Sequence, residues 1–265
     1  MITKCKHING GVMRKIIVSI FLVLTFLCAC NLSSIKDYNE AISEKKQDDA
    51  MTYVNRGNDY NKLGQYQSAI DAFSEAIRLQ PDLTTAYYNR GIAYSNHGQP
   101  QLAIEDYNKA IRLQPELVLA YYNRGITYSN LGQKQRAIED FNEAIRLQPD
   151  LATAYYNRGI TYSNLGQKQR AIEDYSETIR LKPNDATAYY SRGIAYDNLG
   201  QSHHAIKDYN KVIHLKPNDA EAYTSRAGAY FMQGNKKLFC HDVQKACTLG
   251  DCRLFEMAKG KKYCR

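Results

Sequence analysis

The heptapeptide Ala-Tyr-Tyr-Asn-Arg-Gly-Ile begins at Ala86, Ala120 and Ala154, and a version with Ser in place of Asn begins at Ala188. Each copy starts 34 residues after the one before. A fixed period of this size describes one small unit stacked on copies of itself, not a chain wound around a single core. The function of such a chain is to be sought in the surface that the stack presents.

Within the third copy, Tyr121, Gly125 and Tyr128 recur at helical spacing before the breaker Leu-Gly-Gln that begins at Leu131. Ala137, Ile138, Phe141, Ala144 and Ile145 then form an i, i+1, i+4, i+7, i+8 stripe, the pattern of an amphipathic second helix. Gly125 and Ala137 are small where two antiparallel helices must approach closely, and Pro149 ends the pair because it cannot continue a helix. One helix pair cannot bury its own apolar face, so neighbouring pairs complete the core.

In register, Gly57, Gly91, Gly125, Gly159 and Gly193 alternate with Ala69, Ala103, Ala137, Ala171 and Ala205, and Pro81, Pro115, Pro149, Pro183 and Pro217 close the units. Aromatic positions recur at Tyr60, Tyr94, Tyr128, Tyr162, Tyr196 and Tyr230, and at Phe73, Tyr107, Phe141, Tyr175 and Tyr209. This pattern resembles the tetratricopeptide repeat family from about Asp48 to Leu249, although Tyr stands for that family's Trp and Arg for its first Leu. The resemblance implies an all-α, right-handed α-solenoid of about six helix-turn-helix units. The expected division is a signal peptide over 1–29, a lipidated Cys and tether over 30–47, and repeats over 48–234. A last helix with a Cys-rich cap occupies 235–265.

The family lines its concave wall with first helices and binds protein or peptide partners there. By resemblance, the candidate groove comprises Tyr88, Asn89, Ile92 and Asn96, then Tyr122, Asn123, Ile126 and Asn130. It continues through Tyr156, Asn157, Ile160 and Asn164 to Tyr190 and Asn198. An Asn ladder offers donors and acceptors to successive peptide groups, and Tyr offers apolar area with a polar tip. The bland alternative is a soluble wall with some Tyr packed between helices. The carboxylate clamp of some family members is missing, because Thr85, Leu119, Thr153 and Thr187 stand where it needs Lys, and Asn123 and Asn157 where it needs Arg.

Arg56, Arg90, Arg124, Arg158, Arg192 and Arg226 replace the family's Leu, and Asp106, Asp140, Asp174 and Asp208 recur just before the second-helix aromatic. The expected arrangement is a ladder of partly buried Arg–Asp pairs, structural before functional. The units Ala120–Pro149 and Ala154–Pro183 differ only at Phe141/Tyr175, Asn142/Ser176, Ala144/Thr178 and Gln148/Lys182, which suits a long or repetitive ligand.

The formal charge of +8 does not argue for nucleic acid. Lys4, Lys6, Arg14 and Lys15 all precede Cys30, and the repeats interleave acids with bases. Met13-Arg14-Lys15 followed by the mostly apolar Ile16 to Ala29 has the length of a signal peptide, with Met13 a possible true start. Leu27-Cys28-Ala29-Cys30 resembles the bacterial lipobox, so lipidation at Cys30 is expected ahead of plain secretion or an uncleaved anchor. Tyr38, Ala41 and Ile42 echo the second-helix pattern as a degenerate capping half-unit.

Four of the seven cysteines, Cys240, Cys247, Cys252 and Cys264, fall in the last 26 residues. Cys240 and Cys247 stand about 10 Å apart on one helix, too far for a bridge. A turn at Leu249-Gly250-Asp251 would bring Cys252 opposite Cys247 and Cys264 opposite Cys240, and these two bonds are favoured over the crossed pairing. His203, His204 and Asp208 read as an exposed group, not a metal site. No nucleophile elbow, phosphate loop or paired-carboxylate cleft occurs. The expectation is a non-enzymatic, cofactor-free adaptor lipoprotein of the bacterial envelope, facing periplasm or exterior. A self-assembling structural protein or an accessory subunit of an envelope enzyme complex is the alternative.

Overall fold

The computed structural model describes residues 36, 40, 43–46 and 48–264. The expected signal peptide, the Cys30 lipid site and the half-unit at Tyr38, Ala41 and Ile42 lie outside them. All regular elements among the described residues are helical, and none is long and apolar enough to cross a membrane. The chain divides after Ala86 into two compact parts.

In the first part, α1 (residues 48–62) pairs with α2 (Tyr66–Leu79). A Cβ on Gly57 would lie 2.6 Å from the Phe73 ring, so glycine there is what lets the two helices close. Val54, Ala69, Ile70, Phe73 and Ala76 are buried around that contact.

The second part repeats this pairing. Its first helices are α3 (Thr84–Asn96), α5 (Val118–Asn130), α7 (Ala152–Asn164), α9 (Ala186–Asn198) and α11 (Ala220–Met232). Its second helices are α4 (Pro100–Leu113), α6 (Lys134–Leu147), α8 (Lys168–Leu181), α10 (Ser202–Leu215) and α12 (Lys236–Thr248), and a short α13 (Arg253–Gly260) follows. Each second helix from α4 to α12 packs on the helix that follows it, while α5 meets α7 and α9 meets α11 directly across units.

The sequence stripe accounts for these contacts. Ala137, Ile138, Phe141 and Ala144 are all buried on α6, opposite Ala120, Gly125 and Thr127 of α5. The turn inside each pair uses a glycine in the left-handed region, at Gly98, Gly132, Gly166, Gly200 and Gly234 with φ between +70° and +77°. The turn between pairs is the proline turn, as at Pro149 and Asp150.

The C-terminal end departs from the period. Disulfides join Cys240 to Cys264, tying α12 to the segment that follows α13, and Cys247 to Cys252, across the turn between α12 and α13. Val243, Phe239, Ala227, Ala258 and Cys264 form the buried cluster there.

Candidate functional site

The arginine that replaces the family's leucine is the most connected side chain of each unit in the second part. Arg124 donates from Nε to Asp140 Oδ2 at 2.8 Å and from Nη2 to Asp140 Oδ1 at 2.6 Å, a two-pronged ion pair across α5 and α6. Its Nη1 donates to Asn108 of the preceding second helix, so one guanidinium joins three helices. Arg158 repeats this with Asp174 and Asn142, Arg192 with Asp208 and Ser176, and Arg226 with Asp242 and Asn210. Arg90 pairs with Asp106 in the same way. Tyr121 and Tyr128 lie 5.5 and 6.0 Å from the Arg124 guanidinium and shield it from water.

These pairs are mostly withdrawn from solvent, with side chains 17% exposed at Arg124 and 7% at Asp140. Burial raises the Asp106, Asp140 and Asp174 carboxyls above the ordinary carboxylate range, and the facing arginines offset part of that rise. The ladder expected from the sequence is present, and Asp242 extends it by one rung at the same 16-residue offset. In the first part Ala72 takes the aspartate position, and Arg56 lies 4.4 Å from the Tyr53 ring.

The candidate groove residues separate into two sets. The tyrosines are joints between units. The Tyr88 hydroxyl accepts from Asn123 Nδ2 at 2.9 Å, and the Tyr122 hydroxyl accepts from Asn157 Nδ2 at 3.0 Å. Further along, the Tyr156 hydroxyl lies 3.2 Å from Ser191 Oγ, and Tyr190 lies 2.9 Å from Ser225 Oγ. Each ring also tilts against the second-helix aromatic of its own unit, as Tyr122 does on Phe141 at 6.2 Å. Asn157 gives its remaining amide hydrogen to the Thr153 carbonyl, leaving Oδ1 as its free hydrogen-bonding atom. The Asn ladder at Asn123 and Asn157 therefore serves the stack first. Asn89 is half-buried.

The second set faces outward. Asn96, Asn130, Asn164 and Asn198 are exposed at the ends of successive first helices. One turn earlier stand Ile92, Ile126 and Ile160, half-buried, and Ile194, 38% exposed. Asp197 replaces the serine of earlier units on this face. Its Oδ2 accepts from the Tyr209 hydroxyl at 2.8 Å, while Oδ1 is buried without a hydrogen-bond partner. Burial raises the Asp197 carboxyl, and the Tyr209 hydrogen bond pulls it partly back.

No group of three His, Cys, Asp or Glu side chains among the described residues could hold a metal ion. His204 stacks on Tyr196 at 5.0 Å, and Asp208 belongs to Arg192.

Comparison with known proteins agrees with this geometry. A profile described as Tetratricopeptide repeat matches residues 84–117, 118–151, 152–185 and 186–219, and one described as TPR repeat matches 57–98. No curated protein matches the sequence. Among solved structures, MamA is 31% identical with a TM-score of 0.59, over 65% of this chain and 94% of MamA. YrrB, described as a TPR protein with an unusual peptide-binding site, is 22% identical with a TM-score of 0.64, over 72% of this chain and 99% of its own. PilF of Pseudomonas aeruginosa is 16% identical with a TM-score of 0.67, over 80% and 99%. The last two likenesses are of fold alone.

Proposed function

The chain belongs to the tetratricopeptide repeat family, and we propose that it is a non-enzymatic scaffold holding an extended protein segment along the first-helix face of its second part. The observation that carries this reading is the register of Asn96, Asn130, Asn164 and Asn198, exposed at one per unit beside the row of isoleucines. Each amide offers a donor and an acceptor, and each isoleucine an apolar step, so a chain lying along the row meets the same pair once per unit. The peptide-binding site in the description of YrrB lends support from the same fold.

The tyrosine joints hold this row at fixed spacing, so the surface is pre-formed and little ordering accompanies binding. We place the scaffold at a bacterial membrane, tethered through an acylated Cys30. The support is the basic, then apolar, then Leu27-Cys28-Ala29-Cys30 order of the leader.

The test is in-cell photocrosslinking from Asn130 and Asn164, with Glu139 and Glu173 on the opposite helices as controls, all four being exposed. Protein adducts confined to the asparagine positions are expected. Equal capture from the glutamate positions, or concentration-dependent oligomers in light scattering with adducts only of the chain to itself, overturns the adaptor reading. Incorporation of labelled fatty acid that survives Cys30→Ser would remove the anchor.

A further inference from the structure

The sixth first helix keeps the period but changes the face. Where earlier units have Ile, Ser and Asn at positions such as 126, 129 and 130, α11 has Gly228, Phe231 and Met232. Nothing lies within 4 Å of where a Gly228 Cβ would stand, so the missing side chain leaves open space. α13 roofs that space incompletely. The result is a cleft of about 300 Å³ lined by Gly228, Phe231, Phe239, Leu254, Met257 and Tyr263. Phe231, Phe239 and Tyr263 form one wall, with ring centres 5.3 to 5.5 Å apart. The Cys240–Cys264 bond fixes the residue next to Tyr263 and so holds that wall in place. Phe231 is 50% exposed and Met257 52%, which is an unusual concentration of apolar surface.

The rim is basic. Residues 236–265 carry eight Lys and Arg against three acids, a net +5, while residues 31–235 total −1. Two of those acids are already engaged, Asp242 by Arg226 and Asp251 by Arg253. Lys261 lines the cleft itself, and Lys236 Nζ sits 4.9 Å above the Tyr263 ring.

We propose that this cleft is a second docking site, for an acidic partner segment that inserts a Leu or Phe side chain between α11 and α13. An apolar recess with Lys261 in its lining and Lys236 over its Tyr263 wall matches an apolar anchor flanked by Asp and Glu: the recess supplies the burial, and the two lysines supply attraction and orientation. The concavity favours a protruding side chain over a flat surface. The site is separate from the asparagine row and stands whether or not that row binds peptide.

The test measures fluorescence anisotropy of a fluorescein-labelled peptide, a Leu-Phe pair set among Asp and Glu, against the purified full chain. A second peptide has Lys at every acidic position. The acidic peptide is expected to bind and to weaken as salt rises. Met257→Asp should weaken it about tenfold or more, since a buried apolar contact of order 1.4 kcal/mol is a tenfold change. Lys261→Glu should weaken it several-fold, and Asn130→Ala with Asn164→Ala should leave it unchanged. Both cleft changes fall at exposed positions, and retention of helical circular dichroism confirms folding. No binding of the acidic peptide, equal binding of the lysine peptide, or indifference to Met257→Asp overturns the proposal. So does displacement of the acidic peptide by phosphatidylglycerol vesicles, which would assign the cleft to a lipid surface.

Discussion

Residues 118–181 and residues 220–264 obey the same helical period and use it in opposite ways. In α5 to α8 nearly every position repeats, the ion pair is completed by an asparagine of the unit before, and the outward face is polar. In α11 to α13 the ion pair persists as Arg226–Asp242, but the outward face turns apolar and covalent bonds take over closure of the end. A repeating unit can lean on the next copy for its core. Among the described residues the unit of α11 and α12 is followed by a short α13 and two disulfides where the earlier units are followed by another copy. The contrast separates positions that maintain the stack from positions free to specialise.

The largest effect is expected where the stack's ion pair is broken from one side. Arg124→Leu leaves Asp140 buried without its partner, at roughly 3–5 kcal/mol. Asp140 already has a carboxyl pKa raised by burial, so its folded value lies above its unfolded one. As pH falls through that folded value the folded state takes up the proton first, and stability contributed by this group rises until the ordinary carboxylate range is passed. Loss of Arg124 enhances the effect. Urea unfolding should therefore show a smaller Arg124→Leu deficit at pH 5 than at pH 7.5, and a deficit that grows on acidification refutes the assignment. Arg226→Leu should be milder, because His241 Nδ1 remains 3.0 Å from Asp242 Oδ1. Equal losses in the two regions would erase that distinction.

Next in size is the Cys240–Cys264 bond, which closes a separation of 24 residues. Constraining a loop of that length contributes about 3 kcal/mol. Cys240→Ser should lower hydrogen-exchange protection across α13 and leave α6 as protected as before, because repeat units open locally. Loss of protection in both would mean the cap governs the whole stack, not its end alone.

Much of this organisation is readable from the residues, because period and packing coincide. Gly125 and Phe141 each recur every 34 residues, and their contact recurs with them. The Arg124–Asp140 pair has a constant offset of 16, and Asp242 shares it, a rung that the spacing itself announces. The roles of Asn123 and Asn130 are different. Both are polar, both recur and both lie on nearly the same face of α5, yet Asn123 sits mid-helix against a tyrosine hydroxyl 35 residues back while Asn130 ends the helix in solvent, a difference of position along the helix that residue type does not encode. The terminal cleft has its signal in a broken period: Gly, Phe and Met stand where Ile, Ser and Asn are due. Matching registers draws attention to what repeats, and here the lapse is the informative part.

The smallest effect separates the two regions by sign. Gly125 and Gly228 are both in helices, where glycine is less favourable than alanine by about 0.5–1 kcal/mol. At Gly125 a new Cβ would meet Phe141 Cε1 at 2.9 Å and Asp140 Cβ at 3.2 Å. The Phe141 ring is fully buried, and Asp140 is held by Arg124, so neither can yield without disturbing the pair of helices. Crowding of this kind costs about 1–3 kcal/mol, which exceeds the helix gain. Gly125→Ala should therefore lower the midpoint of chemical unfolding. At Gly228 the same methyl enters open space, the helix gain stands alone, and Gly228→Ala should raise stability by about 0.5–1 kcal/mol. A loss at Gly228 would show that the cleft is already filled or collapsed in solution, and the distinction between a closed repeat and an open end would fail there first.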